Sequence, residues 1–435
     1  MRRSLFSLTI SLFALLWLTA SLYSRVDNGQ YLLRPPLPFP NYGQDRKVSR
    51  PVGPIVPVRS GQIKDGTILS AGNITLYLDT IFGRTQGNLP SLQCPSFGKK
   101  RYKALQATGA AGFQVRWFFA LNLRNCIELL PRLIGSVIEV MRFLGPQHCA
   151  LSIVEGLSTD GTADVLIAIT DELQRMGVRY FFHSSTVDPS ADDRITRLAE
   201  LRNMALHPLL FNPTSASEDM AVIFLNDVAA CPDDILELIY QRRNLGADMV
   251  CGMDWNSPDS GDSLFYDVWI SRDINGESFF RIGDMGEWDR AQYLFWDSPL
   301  SKARFEAKRP FQVFACWNGG AVISARPFIE QNIRFRVSND RLGECFMGEP
   351  QLLCKDMWFQ GYGKIAVVPS VNFEYSIKGG NKIKKEKGFV TEIVGNQDPA
   401  GDDFSPWLGP PDYVRCMAGF ESQSMVLWNE SLTRD

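Results

Sequence analysis

The chain has 435 residues, 45% hydrophobic and 21% charged, and its 45 basic against 48 acidic side chains leave a formal charge of −3. Such a composition fits one large or two ordinary globular domains. It excludes a broad basic surface, so nucleic acid is not an expected partner and specificity has to come from a local site.

After Met-Arg-Arg, residues 4–24 (SLFSLTISLFALLWLTASLYS) carry no charge. As a helix at ~1.5 Å per residue the segment is about 31 Å long, enough to cross a bilayer. A signal peptide cut near Ala20 is the other reading, but signal cores run only ~7–15 apolar residues. The expectation is an uncleaved transmembrane anchor with Arg2 and Arg3 on the cytoplasmic side, that is, a single-pass type II membrane protein. Either reading places the body in a secretory lumen, in keeping with the sequons Asn73-Ile74-Thr75 and Asn429-Glu430-Ser431. The 9 cysteines allow several disulfides there and leave at least one thiol over, with connectivity unread. His148, His183 and His207 are scattered and mark no zinc site.

From Arg34 to about Gly61 prolines favour an extended stalk without a core. The expected organisation is residues 1–24 as cytoplasmic tip and anchor, 25–72 as stalk, 73–395 as the main domain and 396–435 as a C-terminal extension. Within the main domain FQVRWFFALNL (113–123) reads as a strand and 126–145 as a helix with Pro131 near its start. ALSIVE (150–155) is a short buried strand, and 162–177 an amphipathic helix ending on Gly177. A strand VRYFFH, a helix RITRLAELRNMAL, the strand AVIFLN, a helix over 233–245 and the strand DMVCGMD follow. Repeated alternation of this kind predicts an α/β fold, a mostly parallel sheet with helices on both faces and ligands beyond the carboxyl ends of its strands.

Three polar motifs fall at those ends. In VEGLSTDGTADV (154–165), Ser158, Thr159 and Asp160 can cap the next helix, whose free N–H groups suit a phosphate or ribose. Glu155 can meet ribose hydroxyls or a base edge; a plain capped turn is the alternative. In LAELRNMALHP (198–208), Arg202 with Asn203 can pair with a diphosphate, or Arg202 is a solvated helix residue. In VIFLND, Asn226 and Asp227 end a buried strand, where oxygen ligands suit a hard divalent cation. They can otherwise cap the following helix, although Asp233 and Asp234 lie closer to it.

An S-T-D-G-T loop, a helix with R-N, then F-L-N-D resembles the nucleotide-sugar half of GT-A glycosyltransferases, a Rossmann-type architecture. The later blocks ADMVCGMDW, FYDVWISRDINGESF, CWNGGAVISARPF, GECFMGEPQLLCKDMW and VVPSVNFEYS resemble the fungal capsule-associated α-1,3-mannosyltransferases over roughly residues 110–380. The resemblance implies a GDP-mannose donor, a divalent cation (Mn2+ or Mg2+), a mannose-containing glycan acceptor and a Golgi or endoplasmic reticulum membrane. It gives Asp227 the metal role with Asn226 beside it, and brings Asp254 and Asp267 to the donor sugar. It also gives Trp317, Asn318 and Gly319 a turn where an indole face stacks on a pyranose. Trp269 and Trp317 can equally be core residues, and for Trp269 the core reading is preferred. Glu349 is the acidic residue before a helix, either at the sugar or favoured there by the helix dipole. Glu349 and Asp254 are the catalytic candidates. Many GT-A enzymes supply a late histidine to the metal, and none follows His207 here. The lysine-rich 378–388 is either a lid over the diphosphate or a solvated loop. The expected reaction is mannosyl transfer with retention of configuration. A transferase of another nucleotide sugar, such as xylosyl, and a non-catalytic assembly factor are the rivals.

Overall fold

The alternation of residues on two central strands shows how the molecule is layered. Along Val115–Leu123 (β1), Trp117, Phe119, Leu121 and Leu123 enter one hydrophobic cluster, whereas Phe118 and Ala120 enter another. Along Ala216–Leu225 (β4), Ala221, Ile223 and Leu225 join the first cluster and Met220, Val222 and Phe224 the second. Successive side chains of a strand point to opposite faces, so both faces of this sheet are covered.

In this computed structural model the described residues are 63–432, apart from 86–88, 107–113, 191–192, 212–215, 259–260, 398–403 and 405. The proposed anchor at 4–24 and the proline-rich stretch 34–61 lie outside them, and no helix among the described residues is long and apolar enough to cross a membrane.

The remaining strands are Cys149–Gly156 (β2), Arg179–Ser185 (β3), Met249–Asn256 (β5), Leu264–Phe265 (β6), Arg272–Asp273 (β7), Phe311–Ala315 (β8), Gly320–Ser324 (β9) and Ile365–Glu374 (β10). They form one sheet in the order β3-β2-β1-β4-β9-β5-β10-β8-β7, with β6 on β5. β3, β2, β1 and β4 are mutually parallel, β10 is parallel to β5, and β9 runs antiparallel between β4 and β5. The fold is therefore mixed α/β with a mostly parallel central sheet. The chain reverses its progress across the sheet between β1 and β4, so a crevice opens beyond their carboxyl ends.

The helices follow the sequence with two departures. Leu130–Leu144 carries Pro131 in its first turn, where a missing N–H costs nothing. Residues 162–177 form two helices, Thr162–Ala168 and Thr170–Met176, because the Thr170 hydroxyl turns back onto the Ile167 carbonyl at 2.7 Å. Gly177 closes the second at φ 86°, a left-handed position suited to glycine.

The lysine-rich 378–388 is neither lid nor solvated loop. It lies in the helix Ile377–Lys387, and Lys384 is buried on the Asp234 carboxylate at 2.5 Å. Ile377, Gly380 and Lys384 share one face of this helix, and that face packs down.

The ends of the body are tied in. Thr67, Ile68 and Leu69, in the segment assigned to the stalk on composition, donate backbone N–H bonds to Asp164. The helix Ala71–Ile81 then buries Ile74, Leu78 and Ile81, with the sequon residue Asn73 exposed. Late in the chain a hairpin of Tyr413–Gly419 (β11) and Ser422–Leu427 (β12) docks through Arg415 on Glu277 and through a Cys345–Cys416 disulfide. Cys94–Cys231 and Cys251–Cys316 are the other disulfides among the described residues, and Cys126, Cys149 and Cys354 are buried thiols.

Candidate active site

Asn226 and Asp227 follow β4 at the crevice and are half-buried. Neither caps the helix Pro232–Asn244. Asp234 does that by accepting from the Cys231 N–H at 2.8 Å, and Asp233 accepts from Thr391. Cys231, Asp233 and Asp234 bring three potential metal ligands together, but Cys231 is bonded to Cys94 and Asp234 to Lys384. That cluster is a helix anchor.

The CWNG turn completes one wall. Asn226 N donates to the Gly319 carbonyl at 2.9 Å, and Trp317 Nε1 donates to Asn226 Oδ1 at 3.0 Å. Asn318 sits at φ 53° with its amide buried between Ser271 Oγ and the Gly252 carbonyl, and its backbone N–H donates to Asp267 Oδ2 at 3.0 Å. Gly319 has φ 79°, and a Cβ there would stand 3.3 Å from Asp254, Phe373 and Val228 atoms. A side chain at 319 would thus push on the Asp254 carboxylate from behind. The Cys251–Cys316 disulfide holds this turn to β5.

Asp254, near the end of β5, is fully buried. Its Oδ2 accepts from the Tyr375 hydroxyl at 2.5 Å, and its Oδ1 has no partner. Burial, then the nearby Asp267 charge, push the Asp254 carboxyl well above its ordinary range. Burial also lifts Asp267 to about 6, opposed by the Asn318 N–H and by Arg202. The Asp227 carboxyl is raised too, first by burial, with Arg202 and Arg194 pulling the other way. Burial first, then the Asp254 and Asp267 charges and last that of Asp227, raise the Tyr266 hydroxyl, with Arg194 pulling the other way. Tyr266 is half-exposed, and its ring meets that of Tyr375 at 5.2 Å.

Arg202 is not a solvated helix residue. It is 8% exposed, donates through Nε to Glu349 Oε1 at 2.7 Å, and places its guanidinium 4.3 Å from the Trp317 ring centroid. Phe224 and Phe335 complete the cage. The Trp317 face offered to a pyranose on sequence grounds thus carries a guanidinium, and Trp317 itself is 2% exposed. Glu349 opens the helix Glu349–Phe359, also buried, and its charge bears on Asp267. Asn203 bonds both backbone groups of Phe335 and so fixes the wall behind Arg202.

The polar side chains of the STDGT loop bond within the loop and to its neighbours. Glu155 is buried, with Oε1 accepting from Ser158 N at 2.6 Å and Oε2 from Ser184 Oγ at 2.9 Å. Ser158 Oγ accepts from Asn125 N, and Asp160 accepts from Ile127 N and Thr162 N. Gly161 rather than Ser158 or Thr159 precedes the helix at 162. These bonds lock the loops after β1 and β2 together beside the crevice.

Tyr375 carries a role that sequence reasoning left unassigned. Its signal is the one that marks Asn226 and Asp227, a buried strand, here β10, that runs into polar side chains at its carboxyl end.

Asp227, Asp254 with its orphaned Oδ1 and the Asn226 amide offer oxygen ligands at this acidic centre, the donor type that a hard divalent cation takes.

Residues 116–356 match the family model described as Cryptococcal mannosyltransferase 1. The alpha-1,3-mannosyltransferase CMT1 of Cryptococcus neoformans is 37% identical over 334 residues, 73% of this chain and 70% of that protein. Among solved structures, GalNAc-T7 with UDP, GalNAc and Mn2+ is similar at 13% identity and a TM-score of 0.35, covering 60% of this chain and 44% of that one. The mannosyltransferase PcManGT of Pyrobaculum calidifontis, in complex with GDP-Man and Mn2+, is similar at 12% identity and a TM-score of 0.35, covering 69% of this chain and 66% of that one. The family match spans β1 to the helix that begins at Glu349 and so contains Asp227, Asp254, Asp267, Arg202 and Glu349: the chain belongs to the Cryptococcal mannosyltransferase 1 family.

Proposed function

We propose that the chain transfers mannose from GDP-mannose to a hydroxyl of a mannose-containing glycan, forming an α-1,3 linkage with retention on a GT-A-type scaffold. The observation that carries this reading is that the Asn318–Gly319 turn ties Asn226 and Asp267 together beside Asp254, inside the family-matched segment, with one Asp254 oxygen unpartnered. Asp227, Asp254 and Asn226 would hold a divalent cation, Mn2+ or Mg2+. Such a cation offsets the charge of a departing diphosphate. Tyr375 fixes one oxygen of Asp254 and leaves the other buried without a protein partner. Arg202 holds Glu349 at the edge of the same space, where a carboxylate stabilises positive charge developing on a sugar. An α-linked donor giving an α-linked product needs no separate general base, because the leaving phosphate can accept the acceptor proton.

The test is GDP release and trisaccharide formation by the full chain with GDP-mannose and α-1,3-mannobiose. Turnover is expected to vanish with EDTA and to return with Mn2+. Faster turnover of UDP-xylose would move the donor assignment. Absence of metal-dependent turnover with any nucleotide sugar would leave the assembly-factor role.

We also place residues 4–24 as a Golgi-membrane anchor that remains in the mature chain. Mass spectrometry of the native protein is expected to find these residues in the membrane fraction. A mature N-terminus near Ser21 on soluble protein would reverse the assignment.

A further inference from the structure

We infer that Trp269 and Phe346 form the subsite that receives a pyranose ring of the acceptor, an inference that rests on the transferase reading above. Asp267 opens a tight turn, with the N–H groups of Ile270 and Ser271 donating back to its carbonyl. Two Cα steps of ~3.8 Å keep Trp269 within about 7.6 Å of Asp267 along the backbone. The same turn thus sends a carboxylate into the acidic centre and an indole to its rim. Across from it, Phe346 lies three residues before Glu349. Gly348 between them packs against Trp269 so closely that a Cβ there would stand 3.3 Å from the indole and 2.2 Å from Ile270. The two rings lie 6.1 Å apart at 44°, Trp269 half-buried and Phe346 43% exposed.

An exposed phenylalanine is unremarkable alone. Here the surroundings hold both rings in place. Trp269 Nε1 donates to the Met417 carbonyl at 2.7 Å, and the disulfide Cys345–Cys416 joins the residue before Phe346 to the residue before Met417. One covalent link therefore restrains the backbone that carries Phe346 and the carbonyl that orients the indole. A rigid, partly dry aromatic corner beside a carboxylate cluster matches the chemistry of a sugar ring, whose C–H face packs on aromatic carbon while its hydroxyls meet polar groups. On the other side of the acidic centre the Trp317 indole is covered by Arg202 and the Tyr266 ring leans on Tyr375. The rim rings are thus suited to the acceptor.

The decisive variant is Phe346→Ala, because the side chain is exposed enough for the fold to tolerate its loss. Two readouts are taken with α-1,3-mannobiose as the probe. In the first, acceptor kcat/KM is divided by the rate of acceptor-free GDP release from GDP-mannose. That ratio is expected to fall about tenfold, the size of one lost aromatic contact, and Phe346→Tyr is expected to restore it. In the second, saturation-transfer NMR reports mannobiose binding without any turnover, and the variant's signal is expected to weaken by the same factor. A ratio and a binding signal both within twofold of wild type overturn the subsite. Phe346-dependent binding in a chain that turns over no nucleotide sugar keeps the subsite and discards the transferase reading. Turnover of GDP-mannose with binding indifferent to Phe346 does the reverse.

Discussion

Asp227→Ala is expected to reduce metal-dependent GDP release by at least ~10²–10³, the usual cost of removing one electrostatic contact from a transition state, and to leave the fold intact. The structure adds a second expectation, on stability. Burial raises the Asp227 carboxyl above its ordinary range, so its ionised form is disfavoured in the folded chain when no cation is present. Removing that carboxylate relieves a cost. The metal-free variant should therefore melt no lower than metal-free wild type. Added Mn2+ separates the two proteins: a ligand at 100 times its Kd stabilises by about 2.7 kcal/mol, a shift of several degrees for wild type and little for Asp227→Ala. Calorimetry with and without Mn2+ makes the comparison. A variant that keeps the full Mn2+ shift shows that the cation sits elsewhere, and near-normal turnover removes Asp227 from the reaction.

Much of the architecture was legible in the chain because period-two and period-3.6 patterns are local. The β–α alternation from Val115 to Asn256 follows from them, as does the placement of polar motifs at strand ends. The interior of the site was harder to read. Arg202 and Glu349 meet across 147 positions, and no local pattern encodes that contact. Yet half of it was visible. Ile195, Ala199, Leu206 and Leu209 make the buried stripe of their helix, and Arg202 falls on that stripe at the same spacing. An arginine on the apolar face needs a buried acidic partner. Lys384 carries the same signal on the face of Ile377 and Gly380, with Asp234 as its partner. Trp317 stayed open for a related reason: an indole beside glycines suits a sugar or a packed core equally, and only the tertiary contact with Arg202 decides. Cysteine pairing was unreadable in principle, because each disulfide joins residues at least 65 positions apart.

The Arg202–Glu349 pair gives the second large effect. Glu349→Gln keeps the shape but leaves Arg202 with an amide in place of its counter-charge, in a cage of Trp317, Phe224 and Phe335. Removing one partner of a buried pair typically costs about 3–5 kcal/mol, so a lower melting temperature is expected whether or not Glu349 touches the sugar. Lost activity in this variant alone therefore assigns no catalytic role. Replacing both residues separates the two contributions. An Arg202→Met/Glu349→Leu chain carries no unpaired charge, methionine sulfur packs well against the Trp317 ring, and substitution of a buried pair by apolar residues is often neutral or stabilising. Its melting temperature should return close to wild type. If Glu349 stabilises positive charge on the sugar, kcat stays depressed by ~10²–10³ in this stable double variant, with the KM for GDP-mannose little changed, because the lost interaction belongs mainly to the transition state. If the pair only braces the helix at 349 against the helix at 202, kcat recovers together with the melting temperature. Turnover within tenfold of wild type in the double variant would make Glu349 a positioning residue and leave the acidic centre at Asp227, Asp254 and Asp267 to carry the chemistry.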